Sequence, residues 1–208
     1  MYRRTTMLLG LLLSFSLAMA GQQAGAASAE GAVATPSITV PGPVVSDYNQ
    51  VFKGGDPVED KIAKEVRHEL LMLPYYGLFD NLGYTVQGRT VTLTGTLTSQ
   101  HAVTKRDAEG AVKRIEGVEK VVNNINVLPP SPMDDRIRQR TYNALARTGG
   151  LSKYFWEAAP SIHIIVQNGR ITLDGFVLNE MDKNMAGITA NTVPGVFQVT
   201  NNLRVVKG

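Results

Sequence analysis

The sequence of 208 residues contains no cysteine, so no disulfide can stabilise the fold and no cysteine can carry the lipid of a bacterial lipoprotein. It also has little excess charge of either sign. Without Arg3 and Arg4, 19 basic and 18 acidic residues remain, a net charge of +1. This balance lacks the basic excess of a nucleic-acid-binding protein, and we expect no nucleic-acid partner.

The sequence lacks the residue patterns of catalysis and metal binding. His68 begins a zinc-protease helix pattern, but Met72 stands where the second histidine is needed. We expect His101 in the first turn of a helix and His163 on the outward side of a strand, both in structural roles. Asp174 has no acidic neighbour and is expected on the solvent face of its strand. We therefore expect no enzymatic activity, no metal and no cofactor.

Long apolar runs are limited to the N-terminus, where two arginines precede an apolar stretch over residues 7–20. A membrane anchor would need about 20 apolar residues, and glycine and serine interrupt this shorter stretch. It ends in Ala-Met-Ala, a small-residue cleavage pattern. We predict that residues 1–20 are a signal peptide and that the mature protein is periplasmic. Cleavage after Ala26 or Ala29 is the alternative.

Composition divides the rest of the chain. Residues 21–55 are rich in Ala, Gly, Pro and Ser without a periodic apolar face, which predicts a flexible leader. Three prolines within residues 129–132 predict a stiff linker. The segments on either side, residues 56–128 and 133–208, are expected to fold as two domains. The first carries 9 basic and 10 acidic residues and the second carries 9 and 6, so the second is the cationic one.

The main feature of the sequence is an internal repeat. RTVTLTG (89–95) returns as GRITLDG (169–175), and VVNNINV (121–127) returns as VTNNLRV (199–205). The spacing is eighty residues for the first pair and seventy-eight for the second. Gly88-Arg89 and Asn168-Gly169 occupy the same two-residue slot between strands. A leading glycine suits a type II′ turn and Asn-Gly suits type I′, so both copies predict a hairpin.

Periodicity predicts the remaining elements. Each copy begins with a helix, and a second helix follows the hairpin, starting near Ser99 or Asn179 as N-caps. The predicted fold class is α+β, with two small α-β-β-α-β modules, each an antiparallel or mixed three-stranded sheet with two helices packed on one face. The helix faces expected to enter the cores are Ile62, Ala63, Val66, Leu70 and Leu73; Ile137, Thr141, Ala144 and Leu145; Ala108, Ala111, Val112 and Ile115; and Met181, Met185 and Ile188.

This element order, with the duplicated V-T-L-x-G strand and the closing V-x-N-x-[IL]-x-V strand, resembles the BON domain family (bacterial osmotically inducible and nodulation). The resemblance covers residues 58–128 and 133–206. It implies a periplasmic envelope-stress protein that binds phospholipid surfaces or envelope components without catalysis. The links at residues 73–83 and 148–161 are longer than the usual connection, and inference from the family is least safe there.

The second module carries the candidate binding residues. Arg136, Arg140 and Arg147 fall within about 40° of one another on the first helix. Such a row beside aromatic side chains suits an anionic lipid surface, because arginines bind phosphate and aromatic rings favour the interface. A solvated helix face and a covered core are the alternative reading. The candidate lipid-binding set is completed by four residues that follow the helix, Lys153, Tyr154, Phe155 and Trp156.

Two functions therefore remain open. The first is peripheral binding to anionic phospholipid membranes, which contributes to envelope integrity or osmotic-stress protection. The second is a periplasmic chaperone or scaffold that binds exported or outer-membrane proteins through apolar or strand-edge surfaces. In the first module, Tyr75, Tyr76 and Phe79 lack a comparable arginine row. We expect them to cover the core or to dock a neighbouring domain.

Overall fold

The structure is a computed structural model that describes residues 38–40, 56–156 and 160–206. The predicted signal peptide, residues 1–20, lies outside the described residues. So does the predicted leader, residues 21–55, except for one short strand, β1, at Ile38–Val40. This strand pairs antiparallel with the first hairpin strand, with Ile38 opposite Val86. The sequence did not predict a strand here.

The predicted fold class is confirmed: the described residues form two α+β modules with the same element order. The first module comprises α1 (Pro57–Leu71), β2 (Asn81–Gln87), β3 (Thr90–Leu97), α2 (Ala102–Lys113), β4 (Lys120–Asn123) and β5 (Asn126–Val127). The second comprises α3 (Pro132–Arg147), β6 (Ile162–Gln167), β7 (Arg170–Val177), α4 (Glu180–Asn191) and β8 (Gln198–Val205). Pro132, placed in the linker by composition, is thus the first residue of α3.

Each sheet is mixed. In each hairpin the two strands are antiparallel, whereas β4 and β5 run parallel to β3, and β8 runs parallel to β7. Parallel pairing requires a crossover connection, and α2 and α4 supply it. The second hairpin strand is therefore the central strand of each module, which explains why its sequence is the most clearly repeated part of the chain.

Apolar faces at the predicted periods build one core per module. All five residues predicted for the core face of the first helix are buried; four lie on α1, and Leu73 lies just beyond its end. On α3, Ile137, Thr141 and Leu145 are buried. These helices cover the alternating apolar side chains of the central strands, such as Leu93 and Leu173, which are fully buried. Both helices of each module thus lie on one face of its sheet.

The repeated glycine of the central strand is required by close backbone approach. Gly95 and Gly175 have positive φ angles of 118° and 125°. A Cβ atom at either position would lie 2.0 Å from a backbone carbonyl oxygen, that of Asn81 in β2 or that of Ser161 just before β6. No side chain fits there, so the glycine of the V-T-L-x-G motif is a feature of the fold.

An acidic residue of each first helix binds the hairpin turn of its module. Glu59 accepts a hydrogen bond from the amide of Gly88. Asp134 accepts two, from the amides of Asn168 at 3.0 Å and Gly169 at 2.8 Å. Gly88 has a positive φ and so do both Asn168 and Gly169, as type II′ and type I′ turns respectively require.

The repeated asparagine of the closing strands holds the edge of each sheet. Asn123 Oδ1 accepts from the amide of Ile125, and Asn201 Oδ1 accepts from the amide of Leu203, both at 3.2 Å. The Asn123 side-chain amide donates to the carbonyl of Lys105, and that of Asn201 donates to the carbonyl of Lys183. One side chain thus satisfies an edge amide and ties the strand to the preceding helix.

Candidate functional site

The arginine row lies on a well-anchored helix. Ser131 caps α3 by accepting from the amide of Asp134 at 3.2 Å, and proline occupies the first turn. Because Ile137, Thr141 and Leu145 face the core, Arg136, Arg140 and Arg147 project outwards, and all three are exposed. Within residues 56–156 and 160–206, no ion pair to these three arginines is found. The row is therefore available to an anionic partner.

The predicted core face of α4 is wrong. Asp182, Ala186 and Ala190 are buried, whereas Met181 is 71% exposed and Ile188 is 67% exposed. The N-cap sets this rotation, because Asn179 accepts from the amide of Asp182 at 2.8 Å and thereby fixes the first turn. The small alanines let the helix approach the sheet. The larger apolar side chains are left on the outside.

Two contacts show how α3 and α4 face each other. Arg140 Nη1 donates to the carbonyl oxygen of Pro194, just beyond α4, at 3.4 Å. The hydroxyl oxygens of Thr148, at the end of α3, and Thr189, on α4, lie 3.5 Å apart. The arginine row is therefore on the side of α3 that is nearer to α4.

The exposed apolar side chains of α4 form a stripe on the side of the helix that is nearer to α3. At about 100° per residue, Met181, Met185 and Ile188 fall within about 60° of one another, between the Thr189 side and the solvent side of the helix. Met185 is partly buried against the second core. The outer surface of the helix pair thus places an apolar stripe beside a cationic row. We call this the helix-pair surface; it comprises Arg136, Arg140, Arg147, Met181, Met185 and Ile188.

The predicted aromatic residues separate into core and surface. Tyr154 is only 5% exposed; its hydroxyl donates to Asp182 Oδ2 at 2.5 Å and accepts from the amide of Leu178 at 2.9 Å. Burial removes Tyr154 from the candidate lipid-binding set and gives it a structural role. Phe155 is half-buried and packs edge-on against Tyr142, with ring centroids 5.7 Å apart. Trp156, in contrast, is 79% exposed and remains in the set.

The ammonium group of Lys153 makes contacts within the second module. Its ammonium group lies 2.9 Å from Asp182 Oδ2, and this hydrogen bond raises the pKa of Lys153. The ammonium also lies 5.0 Å from the centre of the Tyr154 ring. We therefore regard Lys153 as a residue that closes the link onto α4, with a smaller share in any surface binding than the three arginines.

Comparison with known proteins identifies the two modules. The sequence profile of the BON domain family matches residues 59–129 and 133–207. The chain belongs to the BON domain family. Its two modules are tandem BON domains, which confirms the resemblance of the repeated motifs. No curated protein matches this chain in a sequence search.

Two solved structures similar to the tandem BON-domain chain come from a structural protein of the type III secretion system of Chlamydia trachomatis, CdsD. The first is 11% identical, covers 70% of this chain and 92% of that chain, and has a TM-score of 0.24. The second, its C-terminal domain, is also 11% identical with a TM-score of 0.24, and covers 69% and 96%.

The helix layer of the first BON domain has a different electrostatic character. Lys61 pairs with Glu116 at 2.9 Å, and Lys113 pairs with Glu109 at 2.5 Å. A cavity of about 300 Å³ between α1 and α2 is lined by both signs of charge, including Glu65 and Arg114. Paired charges of opposite sign do not form a cationic row, so the helix-pair surface is particular to the second BON domain.

The long link of the first BON domain contacts the second. Leu78 and Phe79 pack against the second core, and the Ile164 amide donates to the Leu78 carbonyl at 2.9 Å. Tyr76 stacks on His163 with ring centroids 5.6 Å apart. Tyr76 and Phe79 therefore dock the neighbouring domain, one of their two predicted roles. Tyr75 remains exposed.

Two residues assigned to an outward or solvent-facing position lie in this junction instead. His163 is on the helix-free face of its sheet but is fully buried, because the link of the first BON domain covers it. Its Nδ1 atom lies 2.6 Å from the carbonyl oxygen of Asp80. Asp174 is half-buried and accepts from the side-chain amide of Asn81 at 2.7 Å. Its expected solvent position is therefore wrong.

Within the part of the chain that the structure describes, no group of three or more His, Asp or Glu side chains is arranged to hold a metal ion. No helix there has both the length and the apolarity needed to cross a membrane.

Proposed function

We propose that this protein is an exported, non-catalytic envelope protein whose second BON domain binds the surface of anionic phospholipid membranes. The predicted signal peptide supports export to the periplasm, and the role implied by the family resemblance supports a lipid partner. The observation that carries the proposal is the helix-pair surface, where arginines for phosphate lie beside apolar side chains for the interface.

Both parts of the surface are needed for binding. Three arginines near an anionic membrane contribute about 3 kcal/mol, less than the about 4 kcal/mol of a millimolar complex. Inserting two apolar side chains that are about two-thirds exposed adds roughly 2 to 4 kcal/mol. The sum passes the millimolar threshold. Weak, reversible attachment of this kind suits a protein that contributes to envelope integrity during osmotic stress.

Vesicle binding tests the proposal, with Trp156, the single tryptophan, as a fluorescent reporter. Phosphatidylglycerol vesicles should shift its emission and carry the protein into the pellet, and phosphatidylcholine vesicles should do so far less. R136E plus R140E should abolish both effects, and I188D should weaken them about tenfold because the apolar insertion is lost.

Matched controls lie in the first BON domain. R106E plus K120E makes the same change in total charge on exposed side chains, and M72D alters an apolar side chain that is 69% exposed. Both should bind like the unmodified protein. Equal losses in the control and helix-pair variants, or no salt-sensitive binding at all, would exclude the proposed surface.

A second candidate function, binding of unfolded exported polypeptides, is favoured by a groove on the first BON domain. A cavity of about 430 Å³ there is lined by Met72, Leu73 and Pro74, with Arg106 and Arg114 at its rim. Apolar side chains flanked by charge suit an extended polypeptide. M72D should then reduce suppression of client aggregation, and R136E plus R140E should leave it unchanged. The opposite pattern would assign that activity to the helix-pair surface.

A further inference from the structure

The junction between the two BON domains depends on one buried, uncharged histidine. His163 is 0% exposed, and its Nδ1 atom donates to the carbonyl of Asp80. Because the proton is on Nδ1, Nε2 is the unprotonated nitrogen. Nε2 is buried and has no hydrogen-bond partner among the described residues. A second proton would therefore place a positive charge in a fully buried site, which costs free energy even with carbonyl groups nearby.

The groups around His163 act in opposite directions. Burial lowers the pKa of His163 to about 4, although the carbonyl groups of Asp80, Gly77 and Pro160 and the charge of Asp80 favour the cation. The Asp80 carboxylate is itself bonded to His101 at 2.5 Å. From the adjacent strand, Asp174 faces His163 as its paired residue, and Arg204 acts on Asp174. Burial outweighs all of these.

We propose that the junction is an acid-sensitive clasp, which holds the two BON domains together while His163 is neutral and releases them when it is protonated. Release costs two further hydrogen bonds, Ile164 to Leu78 and Asn81 to Asp174. It uncovers the apolar side chains of Leu78 and Phe79. Each domain keeps its own core, so release does not require unfolding. The clasp does not depend on the proposed lipid binding.

The direction of the pH effect follows from proton uptake. In the released state His163 is hydrated and has its ordinary pKa of about 6.5, so that state binds the proton more readily than the closed state. The closed state is favoured at neutral pH and loses its advantage as the pH falls from about 6.5 towards about 4. Burial raises the pKa of Asp174, and this shift acts against release. Proton uptake by His163 alone should favour release about twentyfold between about pH 7 and about pH 5.

Small-angle scattering and hydrogen exchange on the full chain test the clasp. At about pH 5, exchange at Ile164, corrected for its intrinsic pH dependence, should rise about twentyfold, and the radius of gyration should increase in proportion to the fraction of released molecules. Far-UV circular dichroism should not change. H163F, which keeps a ring against Tyr76, and H163N, which keeps a donor to Asp80, should both lose the pH response.

His68, which is exposed on α1 and lies outside the junction, provides the matched control. H68Q should respond to acid like the unmodified protein. The clasp is refuted if scattering and exchange are the same at both pH values, if either His163 variant responds as strongly as the unmodified protein, or if circular dichroism is lost together with the junction.

Discussion

The two BON domains share a backbone plan but use opposite arrangements to close their long links. In the first, the carboxylate is on the link: Asp80 accepts from Thr98 at 2.9 Å and binds His101, both at the start of the helix segment after the hairpin. In the second, the carboxylate is on the helix: Asp182 accepts from Tyr154 and Lys153, which are on the link. Each domain thus uses one carboxylate to hold its link against the helix segment after the hairpin, but the carboxylate is on the link in the first domain and on the helix in the second.

The outer surfaces differ more than the cores. Oppositely charged pairs cover the helix layer of the first BON domain, whereas that of the second carries exposed apolar side chains and three arginines with no ion-pair partner among the described residues. The helix-free side near His163 is covered by the partner domain. The two BON domains therefore share the positions that build the fold, whereas their helix surfaces differ in charge and apolar exposure.

The largest expected effect concerns what the domains have in common. G95A and G175A should each lower the free energy of unfolding by more than about 4 kcal/mol, because the new Cβ would lie 2.0 Å from a carbonyl oxygen. Urea-induced unfolding followed by circular dichroism would measure it. G88A is the control: its Cβ meets nothing within 4 Å, so only the positive φ should cost about 1 kcal/mol. A mild effect in only one domain would show that the two hairpins are not equivalent.

The next largest effect concerns the link closures. D80A should destabilise the first BON domain by about 3 kcal/mol, since it leaves the Thr98 amide and the His101 ring without their buried acceptor. D182A should cost about 2 kcal/mol, because Lys153 can return to water whereas Tyr154 cannot. Thermal unfolding of both variants would rank them. D107A, at a partly exposed carboxylate whose ion pair with Arg106 is long, should stay within about 0.5 kcal/mol of the unmodified protein.

Local sequence patterns correctly predicted the helices and strands in which each side chain faces either the core of its own module or the solvent. The face of α1 from Ile62 to Leu70 and the alternation around Leu93 and Leu173 are examples, because each position is either core or solvent within its own module. The internal repeat also contains the information needed to predict which face of α4, the helix after the second hairpin, enters the core. Applying the seventy-eight-residue spacing of the closing strand to Ala108 and Val112 gives Ala186 and Ala190, the true core face of α4.

The core face of α4 was predicted wrongly because its largest apolar side chains are on the outside. The junction between the domains was not predicted because its contacts join residues far apart in the sequence. Met181 and Ile188 are larger and more apolar than the alanines, yet the N-cap at Asn179 and the bonds of Asp182 determine the rotation of the helix. The contacts of His163 with Asp80 and of Asp174 with Asn81 join residues 83 and 93 positions apart. No local sequence pattern indicates contacts between residues so far apart in the chain.

The smallest expected effect compares how the two domains hold their hairpin turns. Both oxygens of Asp134 accept backbone amides, so D134N must direct an N–H group at one donor and should cost about 1 to 2 kcal/mol. Glu59 uses one oxygen, and its other, Oε2, is buried with no partner among the described residues. In E59Q the oxygen bonded to Gly88 can stay in place, and an NH₂ group without a partner replaces an oxygen without one, so the cost should stay below about 1 kcal/mol. Urea unfolding of the two variants decides the matter: if E59Q proved the more costly, the turns of the two domains would be held by different forces despite their matching sequence positions.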